Sequence, residues 1–442
     1  MSETPVVFFG AGPHALMFFE GLARQYSPVA FGDNDTKKQG TCFLGLPVLS
    51  LGEIEVRYPG CRFLVTVNDL TKPFVVTSLI DAGVAPSRII NYVEYKRYRS
   101  CIYLETQLRY NKSQMQFCCS DFGKNISPCI AKGTFTHEEH LNAFFDMRDR
   151  TIDELNELNR LDSNVVAPNP CVDCHNIRNI FWQHDRRIRH INLNFCSVCN
   201  FKCSYCTVIH DKRDKNNDTF NDSVEDVLSL LRLLKHKKII NVDTVIHIAA
   251  GEIAVHPTRE KIKEMLTELL DYTCFIYTNG SVYNETIGKV LSNRKSKIIV
   301  SIDAGTRETF AKIKGVDLYD KVCENLSKYS ADGTVQLKYI VLPNINDNEA
   351  DMLGFVDLCS RLNIRAVDIS RDSNTLNPFA DDTINLIVAM MLELQKQGIN
   401  PSISNDAFLG MPEDMKRIEE RLAKLVKEHC PALLPLKGGH SV

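Results

Sequence analysis

The sequence predicts an α/β protein: an N-terminal parallel-sheet domain, a small cysteine-rich insert, and a partial (β/α)6 barrel. Three observations carry that prediction. The chain opens with strand, glycine turn, helix and strand; six apolar strand-like runs alternate with helices from Arg189 onward; and cysteines cluster between the two regions. A length of 442 residues holds two to four domains. The boundaries read as 1–110, 111–182, 183–400 and, for a C-terminal helical extension, 401–442.

Composition narrows the class. Hydrophobic residues are 44% and charged residues 24%, the balance of a soluble globular chain. Lys+Arg number 52 against Asp+Glu 55, so the basic footprint of a nucleic-acid binder is missing. No apolar run reaches the ~18 residues of a membrane span. The start, MSETP, has no basic n-region, and the expected location is the cytoplasm. In that reducing compartment 16 cysteines point to metal or redox duty rather than disulfides.

In the first domain, Val6–Phe9 is followed by the turn Gly10-Ala11-Gly12-Pro13-His14-Ala15, a helical stretch over 15–26 and an apolar run over 29–31. The turn fits G-x-G-x-x-[GA], which lets backbone amides approach a phosphate at a helix N-terminus, and Asp33 stands where a ribose-binding acid would. Gly10, Gly12 and Asp33 are the candidate nucleotide contacts, although the same glycines also serve any tight turn. With the strings FLVTV and PFVVTSLIDAGVAPSRII, roughly the first 95 residues resemble the Rossmann-like N-terminal domain of nucleotide-sugar N-acyltransferases. That resemblance implies a fold and a nucleotide-binding role, not an activity.

In the insert, Cys118, Cys119 and Cys129 precede a helix opened by a Thr136–Glu139 capping box, with Leu141, Phe144, Phe145, Ile152, Leu155 and Leu158 at helical spacing. Cys171 and Cys174 follow. His137-Glu138-Glu139-His140 has its histidines at i and i+3, the wrong spacing for a zinc protease.

The six strand-like runs of the barrel are 191–193, 245–249, 274–277, 298–302, 335–341 and 366–369. Helix starts are signalled by Ser223 with Asp226 and by Asn346 with Glu349, and amphipathic helices are expected near 384–394 and 415–427. The loops at the strand carboxyl ends are the natural site.

After the first of these strands comes Cys199-Asn200-Phe201-Lys202-Cys203-Ser204-Tyr205-Cys206. Three thiolates at C-x3-C-x2-C suit three corners of a cubane iron–sulfur cluster and leave one iron without a protein ligand. Here the chain resembles the radical S-adenosylmethionine (SAM) superfamily, whose C-x3-C-x-[aromatic]-C loop is matched by Cys199, Cys203, Tyr205 and Cys206. Ala250-Gly251-Glu252 is similar to that family's GGE-type motif; Tyr277-Thr278-Asn279-Gly280 and Val300-Ser301-Ile302-Asp303-Ala304-Gly305 fall where the family contacts SAM. The resemblance implies a 4Fe-4S cluster on Cys199, Cys203 and Cys206, and SAM contacts from Tyr205, Gly251, Glu252, Asn279, Ser301 and Asp303. It also implies reductive cleavage of SAM to a 5′-deoxyadenosyl radical that takes hydrogen from substrate, oxygen sensitivity, and reduced flavodoxin or ferredoxin as electron donor. Ser301 and Asp303 also read as ordinary strand-end polar residues.

Cys196 could complete a four-cysteine zinc site, but three residues between pairs are too few for a ribbon, and it reads as a buried thiol. Cys118 or Cys119 with Cys129, Cys171 and Cys174 resembles a SPASM-type auxiliary cluster site, placed before the barrel rather than after it; structural zinc and unliganded thiols stay open for these positions. Cys42, Cys61, Cys101, Cys274, Cys323, Cys359 and Cys430 are isolated core or surface thiols. The substrate expected is a small molecule, a nucleotide-linked sugar or a surface-polysaccharide precursor. The alternatives are a peptide, as in SPASM-type maturases, and a non-catalytic metal-stapled nucleotide-binding scaffold.

Overall fold

The computed structural model describes residues 4–67, 71–92, 98–111, 114–118, 130–160, 176–180, 185–206, 224–249, 251–372, 374–375, 377–404 and 411–429. The chain divides into two compact units, Met1–Ile102 with Thr151–Asp185, and Tyr103–Arg150 with Arg186–Val442.

In the first unit β1 (Val6–Phe9), β2 (Pro28–Gly32), β3 (Cys42–Phe43), β4 (Leu46–Leu49) and β5 (Arg62–Val65) form a sheet ordered β3-β4-β2-β1-β5. The β1–β2, β2–β4 and β1–β5 pairs are parallel, and β3 folds back antiparallel on β4. All four side chains of β1 are buried because both sheet faces are covered. Val7 and Phe9 pack with Ile54, Phe63 and Leu79 on one face, while Val6 and Phe8 meet Ala15, Phe31 and Val48 on the other. The predicted first helix is Pro13–Tyr26; proline at its start removes an amide that would have no partner, and Ser27 ends it in the left-handed region. β6 (Tyr98–Ser100) pairs antiparallel with the segment Arg178–Ile180.

The second unit is built on a ten-stranded sheet. Its strands are β7 (Gln107–Asn111), β8 (Gln114–Gln116), β9 (Ile130–Ala131) and, beyond β10 (Arg178–Ile180) of the first unit, β11 (His190–Asn194), β12 (Val245–Ile248), β13 (Thr273–Tyr277), β14 (Lys297–Ser301), β15 (Thr334–Val341), β16 (Ala366–Arg371) and β17 (Asn400–Ile403). The order is β17-β16-β15-β14-β13-β12-β11-β7-β8-β9. The six predicted runs are β11 to β16, side by side and parallel. Their alternation sorts the residues by face. Ile191, Leu193, Ile246, Ile276, Ile298, Leu337 and Val367 are buried, while His190, Asn192, His247, Phe275, Lys297, Gln336 and Lys338 are only half-buried on the other face.

Two expected boundaries shift. β7 is hydrogen-bonded in parallel register to β11, so a first domain of 1–110 would cut through a strand of the large sheet. β17 likewise extends that sheet, so 401–442 is not purely helical. The Thr136–Glu139 capping box is present at the head of helix His137–Arg160, where Thr136 N donates to Glu139 and Glu139 N to Thr136 Oγ1. The expected start at Asn346 is corrected. The cap of helix Glu349–Arg361 is Asn348, which accepts from Asp351 N. Asn346 is fully buried, its side-chain amide donating to the carbonyls of Asp303 and Ile340 and accepting from Leu342 N. A loop that turns back into the sheet needs its carbonyls satisfied, and Asn346 does this. Ser223 lies outside the described residues. The two tail helices are Asp381–Lys396 and Pro412–His429, the second anchored by a buried Asp414–Arg371 pair.

Candidate functional site

The loop after β11 carries the three spaced cysteines, and it is pinned at both ends. At its start, Glu252 N donates to Val198 O at 2.7 Å, which brings the turn after β12 against the loop. That approach requires glycine at position 251. Its φ is +62°, and a Cβ there would stand 2.6 Å from Cys196 O and 2.7 Å from Val198 O. At its end, Lys202 N and Ser204 N donate to the carbonyls of Lys314 and Ile313 at the close of helix Arg307–Lys314. Phe201 is buried edge-on against Phe310 of the same helix. Gly251→Ala is therefore expected to lower both thermal stability and retained iron. Gly12→Ala, where a Cβ meets nothing within 4 Å and φ is −146°, should leave both unchanged by thermal melt and iron assay.

Glu252 is fully buried and clasps two strand ends. Its carboxylate accepts from Ala254 N, from Thr278 Oγ1 at 2.8 Å and from Asn279 N. Burial raises its pKa, and the backbone hydrogen bonds from Asn279 and Ala254 oppose that rise. All three donors are neutral, so the clasp orients the carboxylate without neutralising it. The Asn279 side chain donates to Asn200 Oδ1 at 2.8 Å and reaches Cys199 Sγ at 3.7 Å.

Asp303, also fully buried, holds the far side. Its Oδ2 accepts from Tyr205 OH at 2.6 Å and from Lys314 Nζ, while Oδ1 accepts from Ile340 N at 2.7 Å. Lys314 also donates to Tyr205 OH at 2.8 Å. Asp303 takes a left-handed φ of +58°, which aspartate tolerates better than most residues. With its oxygens so engaged, Asp303 orients the aromatic residue of the cysteine loop. Asn374 reinforces the same point by donating to Tyr205 O. Ser301 ends β14 on the half-buried face, in register with Lys338.

Cys199, Cys203 and Cys206 are half-buried, and their sulfurs lie within electrostatic reach of one another. Burial pushes the Cys203 thiol up to about 11 and raises the Cys199 thiol, with Lys314 acting the other way on Cys203. Such thiols ionise readily only against a cation, and thiolates are what iron requires. No three His, Cys, Asp or Glu side chains among the described residues converge as a single-ion site. A cubane spreads its thiolates over three separate irons, so this donor set fits a cluster better than a lone zinc. Cys196 is buried and turned toward Val198 O at 3.5 Å, as a packed thiol would be.

In the first unit, Gly10 has φ +117° and a Cβ there would strike Val67 Cγ1 at 2.4 Å, so glycine is needed for packing. Asp33 accepts from Ala11 N at 2.9 Å, from Asp35 N and from Lys38 Nζ. It braces the glycine turn and takes the Ala11 amide for itself. Of the insert cysteines, Cys118 is half-buried; Cys119, Cys129, Cys171 and Cys174 lie outside the described residues, as do Ala250 and Cys430.

Lys314 was not apparent as a site residue in the sequence, and Asn200 and Thr278 stood inside the site motifs without a role of their own. Lys314-Gly315 reads there as an ordinary helix C-terminus, and Gly315 does end the helix in left-handed geometry. Only the folded chain buries the Lys314 ammonium beside Asp303.

Residues 193–356 match the family described as the Radical SAM superfamily. GTP 3′,8-cyclase of Chlorobaculum tepidum is 26% identical over 203 residues, 45% of this chain and 57% of that protein. A Saccharolobus islandicus protein with the name "Probable GTP 3′,8-cyclase" is 26% identical over 184 residues, 42% of this chain and 57% of its own. The chain thus spans less than two thirds of the length of these relatives. A crystal structure of Streptococcus suis SuiB bound to S-adenosylmethionine is 14% identical, covers 70% of this chain and 74% of its own, and superposes with a TM-score of 0.41, too slight to argue from. Residues 193–356, which carry the cysteine loop with Glu252 and Asp303, are thus a radical SAM superfamily domain, a family that uses a 4Fe-4S cluster and S-adenosylmethionine.

Proposed function

We propose that Cys199, Cys203 and Cys206 hold the cluster and that SAM lies across the carboxyl ends of β11 to β14. The observation that carries this reading is that three half-buried thiols, within electrostatic reach of one another, sit on a loop pinned from both sides. When bound, a cluster with one iron free of protein ligands supplies the electron that splits SAM into methionine and a 5′-deoxyadenosyl radical, which takes hydrogen from substrate. Glu252, buried among neutral donors, is placed to receive the SAM ammonium as its missing counter-charge. Asn279, bonded to Asn200 and close to Cys199, fixes the approach of the loop to β13, and Ser301 offers a hydroxyl on the half-buried face. Asp303 and Lys314 set Tyr205, so the aromatic side chain forms a fixed wall beside the thiols. The second unit is then read as a partial barrel whose half-buried face encloses the substrate.

The first unit is read as a Rossmann-like nucleotide-binding domain. The chain lays β2 and β4 on one side of β1 and then β5 on the other, so the strand order switches between β1 and β5, and an open groove there is lined by His14, Phe18, Leu22, Thr66 and Lys72. A nucleotide-linked sugar or polysaccharide precursor is the substrate class we favour, and the nucleotide in the relatives' name, GTP, lends it support. The insert cysteines are read as a SPASM-like auxiliary cluster site, and flavodoxin or ferredoxin as the electron donor.

Anaerobic reconstitution with iron and sulfide, reduction, and addition of SAM should yield 5′-deoxyadenosine. Zinc without acid-labile sulfide, and intact SAM under strong reductant, would instead support a non-catalytic scaffold.

A further inference from the structure

The half-buried face of the ten-stranded sheet carries charges that the handling of SAM does not use. Register places side chains on it row by row. Arg109, Asn192, His247, Phe275 and Lys297 lie across β7, β11, β12, β13 and β14, and Ser301, Lys338, Asp368 and Ser402 lie across β14 to β17. Contacts tie the rows together. Lys297 Nζ sits 4.3 Å over the Phe275 ring and donates to Gln336 at 2.7 Å, His247 packs edge-on against Phe275 at 5.0 Å, and Lys338 reaches Asp368 only at 3.7 Å.

Among the described residues of these strands, the face bears three permanent cations, Arg109, Lys297 and Lys338, against one carboxylate, Asp368. Histidine does not add to the sum at neutral pH. Burial, with His190 and Lys297 nearby, brings His247 down to about 4, and burial beside Arg189 lowers His190. Burial also lowers Lys297. Asp368 acts on both Lys338 and Lys297 and offsets one charge, so two positive charges, partly withdrawn from water, stay in excess on this face, and half-buried cations are stabilised when an anion meets them. Lysine is a point-charge binder of phosphoryl oxygens, and a lone carboxylate would leave half of the excess unmatched.

We propose that this face, centred on Lys297 and Lys338, binds a polyanionic group of the substrate, a diphosphate or its charge equivalent, and so aligns the rest of that molecule toward the cysteine loop. The proposal rests on the reading that the strand carboxyl ends are the reacting site.

The test uses the reconstituted full chain with inorganic pyrophosphate as probe. Lysine acetylation read by mass spectrometry should show pyrophosphate protecting Lys297 and Lys338 but not the surface residues Lys261 and Lys328. Titration calorimetry should show at least tenfold weaker pyrophosphate binding in Lys297→Gln and in Lys338→Gln. The protection experiment uses the unmutated chain, so misfolding of a variant does not remove the test. Absence of protection at both lysines, or equal pyrophosphate affinity in the unmutated chain and both variants, overturns the proposal. SAM cleavage by the unmutated chain is measured alongside. If cleavage occurs without protection, the anion site alone fails; if no cleavage occurs, the assignment of the reacting site fails whatever the lysines do.

Discussion

Cys199→Ala is expected to abolish release of 5′-deoxyadenosine from SAM, while Cys359→Ala leaves it intact. The contrast is sharp because the two thiols differ in surroundings rather than in chemistry. Cys199 is half-buried in a loop, within electrostatic reach of Cys206 and of Glu252, and 3.7 Å from the Asn279 amide. Removing it takes away one of three sulfurs, and two thiolates do not hold a cubane that already lacks a fourth protein ligand. Cys359 is wholly buried inside helix Glu349–Arg361, where burial raises its pKa and it serves as a small apolar filler. Its truncation should cost roughly 1 kcal/mol of stability, the scale of a small core deletion, with no effect on chemistry. Iron content, acid-labile sulfide and 5′-deoxyadenosine are measured together. Undiminished cleavage in Cys199→Ala would remove the assignment of that thiol.

Lys314→Met is expected to be the most damaging change outside the cysteines. Both Lys314 and Asp303 are buried, at 2% and 0% side-chain exposure, so deleting the ammonium leaves a buried carboxylate with, among the described residues, Tyr205 OH and Ile340 N as donors. Breaking such a pair from one side typically costs about 3–5 kcal/mol. Asp303→Asn combined with Lys314→Met removes both charges and should recover part of that loss, which a double-mutant cycle in urea resolves. Tyr205 loses a partner in the single variant, so retained iron should fall with stability. A Lys314→Met protein as stable as the parent would show that the pair contributes nothing to the loop.

The parts of the architecture that were legible in the sequence are those where burial alternates. Strands β11, β12, β13 and β15 bury every second residue and β14 and β16 add short buried runs, a pattern that is visible without the fold. Strand β7 alternates too, with Leu108 and Tyr110 buried between Gln107, Arg109 and Asn111, but it is short and far along the chain from β11, and its place beside that strand depends on long-range pairing. The cysteine loop and its neighbours at Gly251, Glu252 and Asn279 were legible because spacing and chain position suffice for them. Lys314 was not, since only tertiary contact separates a buried ammonium from a common helix-ending lysine. Asn346 and Asn348 illustrate the same limit. Either can cap a helix, and the one drawn into the sheet is decided by which carbonyls the turn leaves without partners.

The most direct measurement is electron–nuclear double resonance on the reduced, reconstituted protein with SAM labelled at its amino nitrogen. A hyperfine coupling between that nitrogen and the cluster is expected, and its loss in Cys199→Ala. A reduced cluster whose spectrum is untouched by SAM, with no nitrogen coupling in the unmutated protein, would contradict it.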